Sequence, residues 1–290
     1  MRIKIAAVKR ANKFSPNHIE DDYLILKMTG DHLEKLGSVV RYYDEEIVEE
    51  SFIKNRVMFS MGRTSAALKA LENMQQKGAI VINPVEGIRN CFRENTVRIL
   101  KENNILSPDF ILTDTSVVPP EDYVKSKFNS EKLWIKRDGH IIHREDIALV
   151  RSYDELRSIL KEFSLRGIRK AIIQEHIKGS EIKFYAVKGR DFFHWYFVNG
   201  RENLNFNEEF LRGEALRAAE ALGIEVFGGD AIIDDKGNIY FIDLNDWPSF
   251  APVREEAAEN IAALLHEKSG IFYRAKNYWN LTKSKLRAGS

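Results

Sequence analysis

Short apolar runs alternate with amphipathic stretches over the first part of the chain. "RIKIAAV" reads as a strand, and "DDYLILKMTGDHLEKLG" reads as a helix that stops at Gly37. "SVVRYY" and "RVMFSM" follow as strands. "TSAALKALENMQQKG" has the pattern of a helix capped by Thr64 and closed before Gly78, and "AIVIN" is a further strand. Strands alternating with helices at this spacing predict a parallel sheet with crossovers, so residues 1–88 are expected to form an α/β lobe.

From residue 89 the pattern changes. "RENTVRILKENN" predicts a helix, and the stretch from Pro108 to Pro120 predicts strand and loop. "KLWIKR" predicts a strand, and "SYDE" opens a helix with capping-box spacing between Ser152 and Glu155. "KAIIQEHI" closes this unit, expected to span 89–177. Residues 178–270 turn to paired strands: "EIKFYAVKGRDFFHWYF" reads as a hairpin around Lys-Gly-Arg-Asp. Two helices, "NEEFLRGEALRAAEAL" and "REEAAENIAALLHEK", flank a second hairpin, "GGDAIIDDKGNIYFIDLNDWPSF". Residues 271–290 form a basic, polar tail. The fold class expected is α/β together with α+β.

Composition narrows the function classes. With 44 Lys and Arg against 43 Asp and Glu, the formal charge of +1 gives no global attraction to nucleic acid or anionic lipid. An opening apolar run too short for a signal peptide, and no stretch approaching a membrane span, predict a cytoplasmic protein. Cys91 is the only cysteine, which excludes an internal disulfide and a cysteine-cluster metal site; it is expected to be a packed residue.

The second hairpin carries the least ordinary residues. Carboxylates are depleted in strands and costly to bury, yet Asp230, Asp243 and Asn245 lie in strand-like runs. Alternation predicts Phe241, Asp243 and Asn245 on one face, with Ile242 and Leu244 on the other. If "DKGN" is a four-residue loop, Ile239 pairs with Asp234 and Asp243 falls opposite Asp230. Facing carboxylates repel. A divalent cation between them reverses that sign, whereas a solvated edge hairpin or another loop length removes the problem. Two carboxylates and an amide offer hard oxygens that suit Mg or Mn better than zinc. Lys136, in the apolar run "LWIKR", similarly needs an anion or an edge-strand position. In "AIIQEHIKGSEIKFYAV" the link after Gln174 and Glu175 either presents backbone groups to a purine edge or is a simple polar connection. Glu181, Lys183 and Tyr185 share the next strand face.

Taken in order, "INPVEGIRNCFRENTVRIL", "LWIKR", "IIQEHIKGSEIKFYAV" and "GGDAIIDDKGNIYFIDLN" resemble the ATP-grasp superfamily over roughly residues 80–250. The resemblance implies a Rossmann-like pre-ATP-grasp lobe followed by central and C-terminal lobes that clamp ATP. It implies that Lys136 and Arg93 bind ATP phosphates, that Gln174, Glu175 and Ile177 form the adenine hinge, and that Glu181 serves ribose. Lys183 is implied near the transferred phosphate, and Asp230, Asp243 and Asn245 as ligands of Mg or Mn. Departures are Asp243 where ligases of the superfamily usually have Glu, "DWPSF" where Ser-Pro-Gly is frequent, and "RDGHIIHRED" where a glycine-rich loop is usual. That last loop brings His140 and His143 as candidates, against a plain surface loop.

Lys9, Arg10, Lys13, Arg63 and Arg254 are expected either to clamp an anionic small-molecule acceptor beyond the carboxyl ends of strands or to be solvated. The resemblance implies first a carboxylate–amine (or thiol) ligase acting through an acyl phosphate. "IDLN" followed by an aromatic residue and Pro is similar also to ATP-grasp inositol polyphosphate kinases, and a noncatalytic binding module is the third class. Many members of the superfamily are dimers, so a homodimer is allowed by the resemblance.

Overall fold

A computed structural model describes residues 2–15, 18–48, 56–139, 143–201, 204 and 206–270. The basic tail and His140 therefore lie outside the described residues. In chain order the elements are β1 (Lys4–Lys9), α1 (Ile19–Lys35), β2 (Val39–Asp44), β3 (Val57–Ser60), α2 (Ser65–Gln76), β4 (Ile80–Ile82) and α3 (Val85–Asn90). Next come α4 (Arg93–Glu102), β5 (Phe110–Asp114), α5 (Glu121–Lys127), β6 (Leu133–Arg137), β7 (Ile147–Val150), α6 (Tyr153–Leu165) and β8 (Lys170–Glu175). The remainder is β9 (Ser180–Val187), β10 (Phe193–Asn199), α7 (Glu208–Leu222), β11 (Val226–Ile233), β12 (Ile239–Asp246) and a last helix, α8, over 254–270.

These strands make three four-stranded sheets. The first, in the order β2-β1-β3-β4, is parallel, as the alternation of strand and helix in the first lobe predicts. The second, β5-β8-β6-β7, and the third, β10-β9-β11-β12, are antiparallel. Caps fall where the sequence puts them: Thr64 accepts from the Ala67 amide and Ser152 from the Glu155 amide. No helix among the described residues is long and apolar enough to cross a membrane.

The core divides unevenly between the lobes. One face of the parallel sheet (Ile5, Ala7, Val57, Phe59) packs with α1 (Ile25, Leu26, Leu33) and α8 (Ala257, Ala258, Ile261, Leu265). Trp247 and Phe250, from the chain after β12, join the same cluster. Thus the first and third sheets share one core. The second sheet has its own, built with α5 and α6 around Ile135, Leu156, Leu160, Phe163 and Ile173. Helix α4, expected in the central unit, packs through Leu100 into the core of the third sheet and α7, and meets the second sheet through its first residues and through Lys101, whose ammonium lies over the Phe110 ring.

One detail of the last hairpin corrects the sequence reading. The turn is one residue longer than expected: Ile239 pairs with Ile233, not with Asp234, whose carboxylate instead accepts from the Lys236 and Asn238 amides inside the turn. A β-bulge between Asp230 and Ala231 then restores the count, and Asp243 does lie opposite Asp230. The bulge also rotates the strand. Phe241 and Leu244 both enter the core, while Ile242 and Asp243 both face the cleft, so Phe241 does not share the face of Asp243.

Candidate active site

The second and third sheets face each other across a cavity of about 370 Å³. Its lining includes Arg93, Lys136, Gln174, Glu175, Ile177, Glu181, Asp230 and Asp243, eight of the residues singled out from the sequence. Trp134, His176, Asn199, Ile232 and Ile242 also line it and were not anticipated. Alternation could have found Trp134, since it sits two residues from Lys136 on the same strand face.

On the side of the second sheet, Lys136 donates to Gln174 Oε1 at 2.7 Å, and Trp134 lies directly across from Gln174 in register. Burial pulls the Lys136 ammonium down to about 8, and the nearby Arg93 guanidinium adds to this. Asp243, Asp230 and Glu181, across the cleft, pull the other way. Arg93 opens α4 and is itself buried, donating to the Arg137 carbonyl at 3.0 Å. Glu175 turns toward the loop before β6 and accepts from the Asn129 and Ser130 amides at 2.8 and 3.1 Å. Residues 176–179 link the two sheets. The linker passes so close to β11 that a Cβ on Gly179 would stand 2.2 Å from the Ile233 carbonyl oxygen.

On the side of the third sheet, pairing aligns Tyr196, Lys183, Asp230 and Asp243 in one row across four strands. Lys183 Nζ lies 3.2 Å from Asp230. Burial alone would lower the Lys183 ammonium, but the charge and hydrogen bond of Asp230 outweigh it and the net shift is upward. Asp230 is pushed up to about 6, chiefly by burial; Lys183 opposes this and Asp243 reinforces it. The carboxylate is thus short of positive charge even with its lysine. Asn245 lies two residues past Asp243 and pairs with Gly228, half-buried beside the row rather than lining the cavity. Glu181 holds the Asn199 amide at 2.6 Å.

The basic residues expected on the acceptor side are each engaged with the protein. Lys9 pairs with Asp44 (2.8 Å), Arg10 with Asp22 (3.0 Å), Arg63 with Asp246 (2.6 Å) and Arg254 with Asp21 (2.6 Å). Lys13 is exposed, its ammonium over the Phe14 ring. His143 is exposed on a short turn with Asp146 and does not line the cavity. Cys91 is buried, and burial raises its thiol well above the ordinary value, which makes it inert.

Among the described residues, no three His, Cys, Asp or Glu side chains are grouped to hold a metal. A cation here would rest on Asp230, Asp243 and the Asn245 amide, the small hard-oxygen set that Mg tolerates when phosphates complete its shell.

No protein-family profile and no curated protein sequence matches this chain. Solved structures do. A D-alanine–D-alanine ligase from Coxiella burnetii superposes with a TM-score of 0.72 at 12% identity, covering 97% of this chain and 100% of its own. One from Bacillus anthracis gives 0.69 at 15% identity, covering 94% of this chain and 99% of its own. An ATP-grasp RimK domain protein from Sphaerobacter thermophilus gives 0.68 at 14% identity, covering 90% and 99%. Agreement over nearly the whole of each chain, with the order of the three sheets and the cleft between the last two, gives this protein the fold of the ATP-grasp superfamily.

Proposed function

We propose that the protein is a Mg-ATP-dependent, ADP-forming ligase that activates a carboxylate as an acyl phosphate for attack by an amine or thiol. The observation that carries this is the cleft in which Lys136 and Arg93 on one side meet Asp230 and Asp243 on the other, with Lys183 paired to Asp230. A triphosphate needs cations on one side and metal-bridging carboxylates on the other, and this cleft supplies both. The neighbours in fold include D-alanine–D-alanine ligases, and the Bacillus anthracis enzyme has been solved with ATP.

Each residue has a chemical task in this reading. Lys136 and Arg93 neutralise phosphate oxygens from the side of the second sheet, and an anion between them offsets their mutual repulsion. The linker 176–179 and Glu175 hold the base, with Glu181 at the sugar. Asp230, Asp243 and Asn245 would hold Mg or Mn, which would supply charge neutralisation on the transferred phosphoryl group. Lys183, 3.2 Å from Asp230, would supply a further positive charge beside that group. No protein nucleophile is needed.

The paired state of the basic residues favours the ligase over the polyphosphate kinase. A multiply phosphorylated acceptor needs uncompensated cations, and Lys9, Arg10, Arg63 and Arg254 each face an aspartate. The test supplies Mg-ATP with pools of amino acids, small carboxylates, polyols and inositol phosphates, and measures ADP and free phosphate in parallel. Equal ADP and phosphate, dependent on both an acid and an amine or thiol, is expected. ADP without free phosphate, dependent on a polyol or inositol phosphate, overturns the ligase in favour of the kinase.

A further inference from the structure

The carboxyl end of β12 runs into a cluster of buried charge. Asp246 follows Asn245 directly and is fully buried; Arg63 Nη2 lies 2.6 Å from its Oδ1 and 3.1 Å from its carbonyl oxygen. Arg63 belongs to the loop after β3, and that loop is itself pinned. The buried carboxylate of Glu45 accepts from the amides of Arg63 (2.5 Å) and Thr64 (2.8 Å), and also from the amide of Ala11.

The next residue, Trp247, has a φ of 46°, a left-handed conformation in which a bulky side chain is an outlier. Its carbonyl accepts from Arg10 Nη2 at 3.0 Å, its indole donates to the Ile82 carbonyl at 3.2 Å, and its ring stacks on Phe59 with centroids 5.6 Å apart. Arg10 in turn reaches the Met61 carbonyl and Asp22. Most of what fixes this turn therefore comes from the first lobe.

A buried ion pair is a poor route to stability, because desolvation offsets the attraction. A strained backbone of this kind costs on the order of 1–3 kcal/mol. Their coincidence immediately after Asn245 calls for a geometric purpose. We propose that Arg63 and Asp246 are positioning residues: they hold the end of β12 against the loops at 10–15 and 61–64, so that Asp243 and Asn245 keep the spacing to Asp230 that Mg or Mn requires. This rests on the Mg-nucleotide reading of the cleft.

The probe is Mn in the presence of ADP, followed by loss of the free-ion electron paramagnetic resonance signal, with ADP affinity in the absence of metal measured separately. Asp246→Asn and Arg63→Gln are each expected to weaken Mn binding by about tenfold or more, as partners that orient metal ligands do. Metal-free ADP affinity should stay within roughly twofold, and the double variant should be no worse than the poorer single, because both act through one pair. Arg63→Lys keeps the charge but loses the fork, and is expected to weaken Mn binding by only about two- to fivefold. Unchanged Mn affinity in Asp246→Asn and Arg63→Gln overturns the proposal, whatever happens to Tm. If those two do not fold, Arg63→Lys decides by the same criterion. A wild-type protein that binds ADP but no Mn refutes the metal site itself, and the positioning role with it.

Discussion

Lys136 carries two expectations of opposite sign. Burial and Arg93 hold its ammonium down to about 8, so its charge is costly to the fold. Lys136→Met removes that charge while keeping the apolar stem, and near neutral pH it should raise Tm. The same change should weaken Mg-ATP binding several-fold, because the phosphate partner is lost. A lysine kept for stability would move both readings downward, so thermal melting and nucleotide titration on one variant separate the two roles.

The pH dependence follows from the same residue. A bound phosphate favours the charged lysine, so its value rises on binding and binding takes up a proton above about pH 8. The Lys136 contribution to nucleotide affinity should therefore be constant below that pH and fall above it, and the fall should be blunted in Lys136→Met. For the fold the sign is reversed. The unfolded chain, with an ordinary lysine, binds more protons than the native state between about pH 8 and 10.5, so this residue's contribution to stability grows with pH across that window.

Among the elements, the linker between β8 and β9 is the most exacting. A Cβ at Gly179 would meet the backbone of Ile233, which belongs to the third sheet and has nowhere to go. Gly179→Ala should lower Tm and weaken nucleotide binding together. Gly213 in α7 is the control: a Cβ there meets nothing, and Gly213→Ala should stabilise the helix by about 1 kcal/mol. Elements were legible in the sequence wherever a period and a cap coincided, as at Thr64 and Ser152. The pairing of Asp230 with Asp243 was legible too, but for a partly wrong reason. The five-residue turn and the bulge at Ile242 shift register in opposite directions and cancel, and a bulge in an apolar run leaves no signature. Asp246, Glu45 and Asp22 were not legible as partners of Arg63, the loop at 61–64 and Arg10. Such pairs form only once distant loops meet, and an isolated arginine reads the same whether it awaits a ligand or an aspartate.

Across the whole molecule, two of the three sheets share a core and the second stands apart with its own. Its links to the rest are largely polar: Arg93 to the Arg137 carbonyl, the Glu94 amide to Asp138, and Lys170 to Glu94 at 2.7 Å. That arrangement suits a lobe that closes on a nucleotide from one side. Everything turns on whether the cleft takes a metal-bound nucleotide, and calorimetric titration of ATP into the wild type and into Asp243→Ala, each with and without Mg, asks this directly. Binding that Mg strengthens is expected in the wild type, with the Mg effect absent in a folded Asp243→Ala. Equal, Mg-dependent binding in both proteins, or no binding by the wild type, would contradict this reading of the cleft.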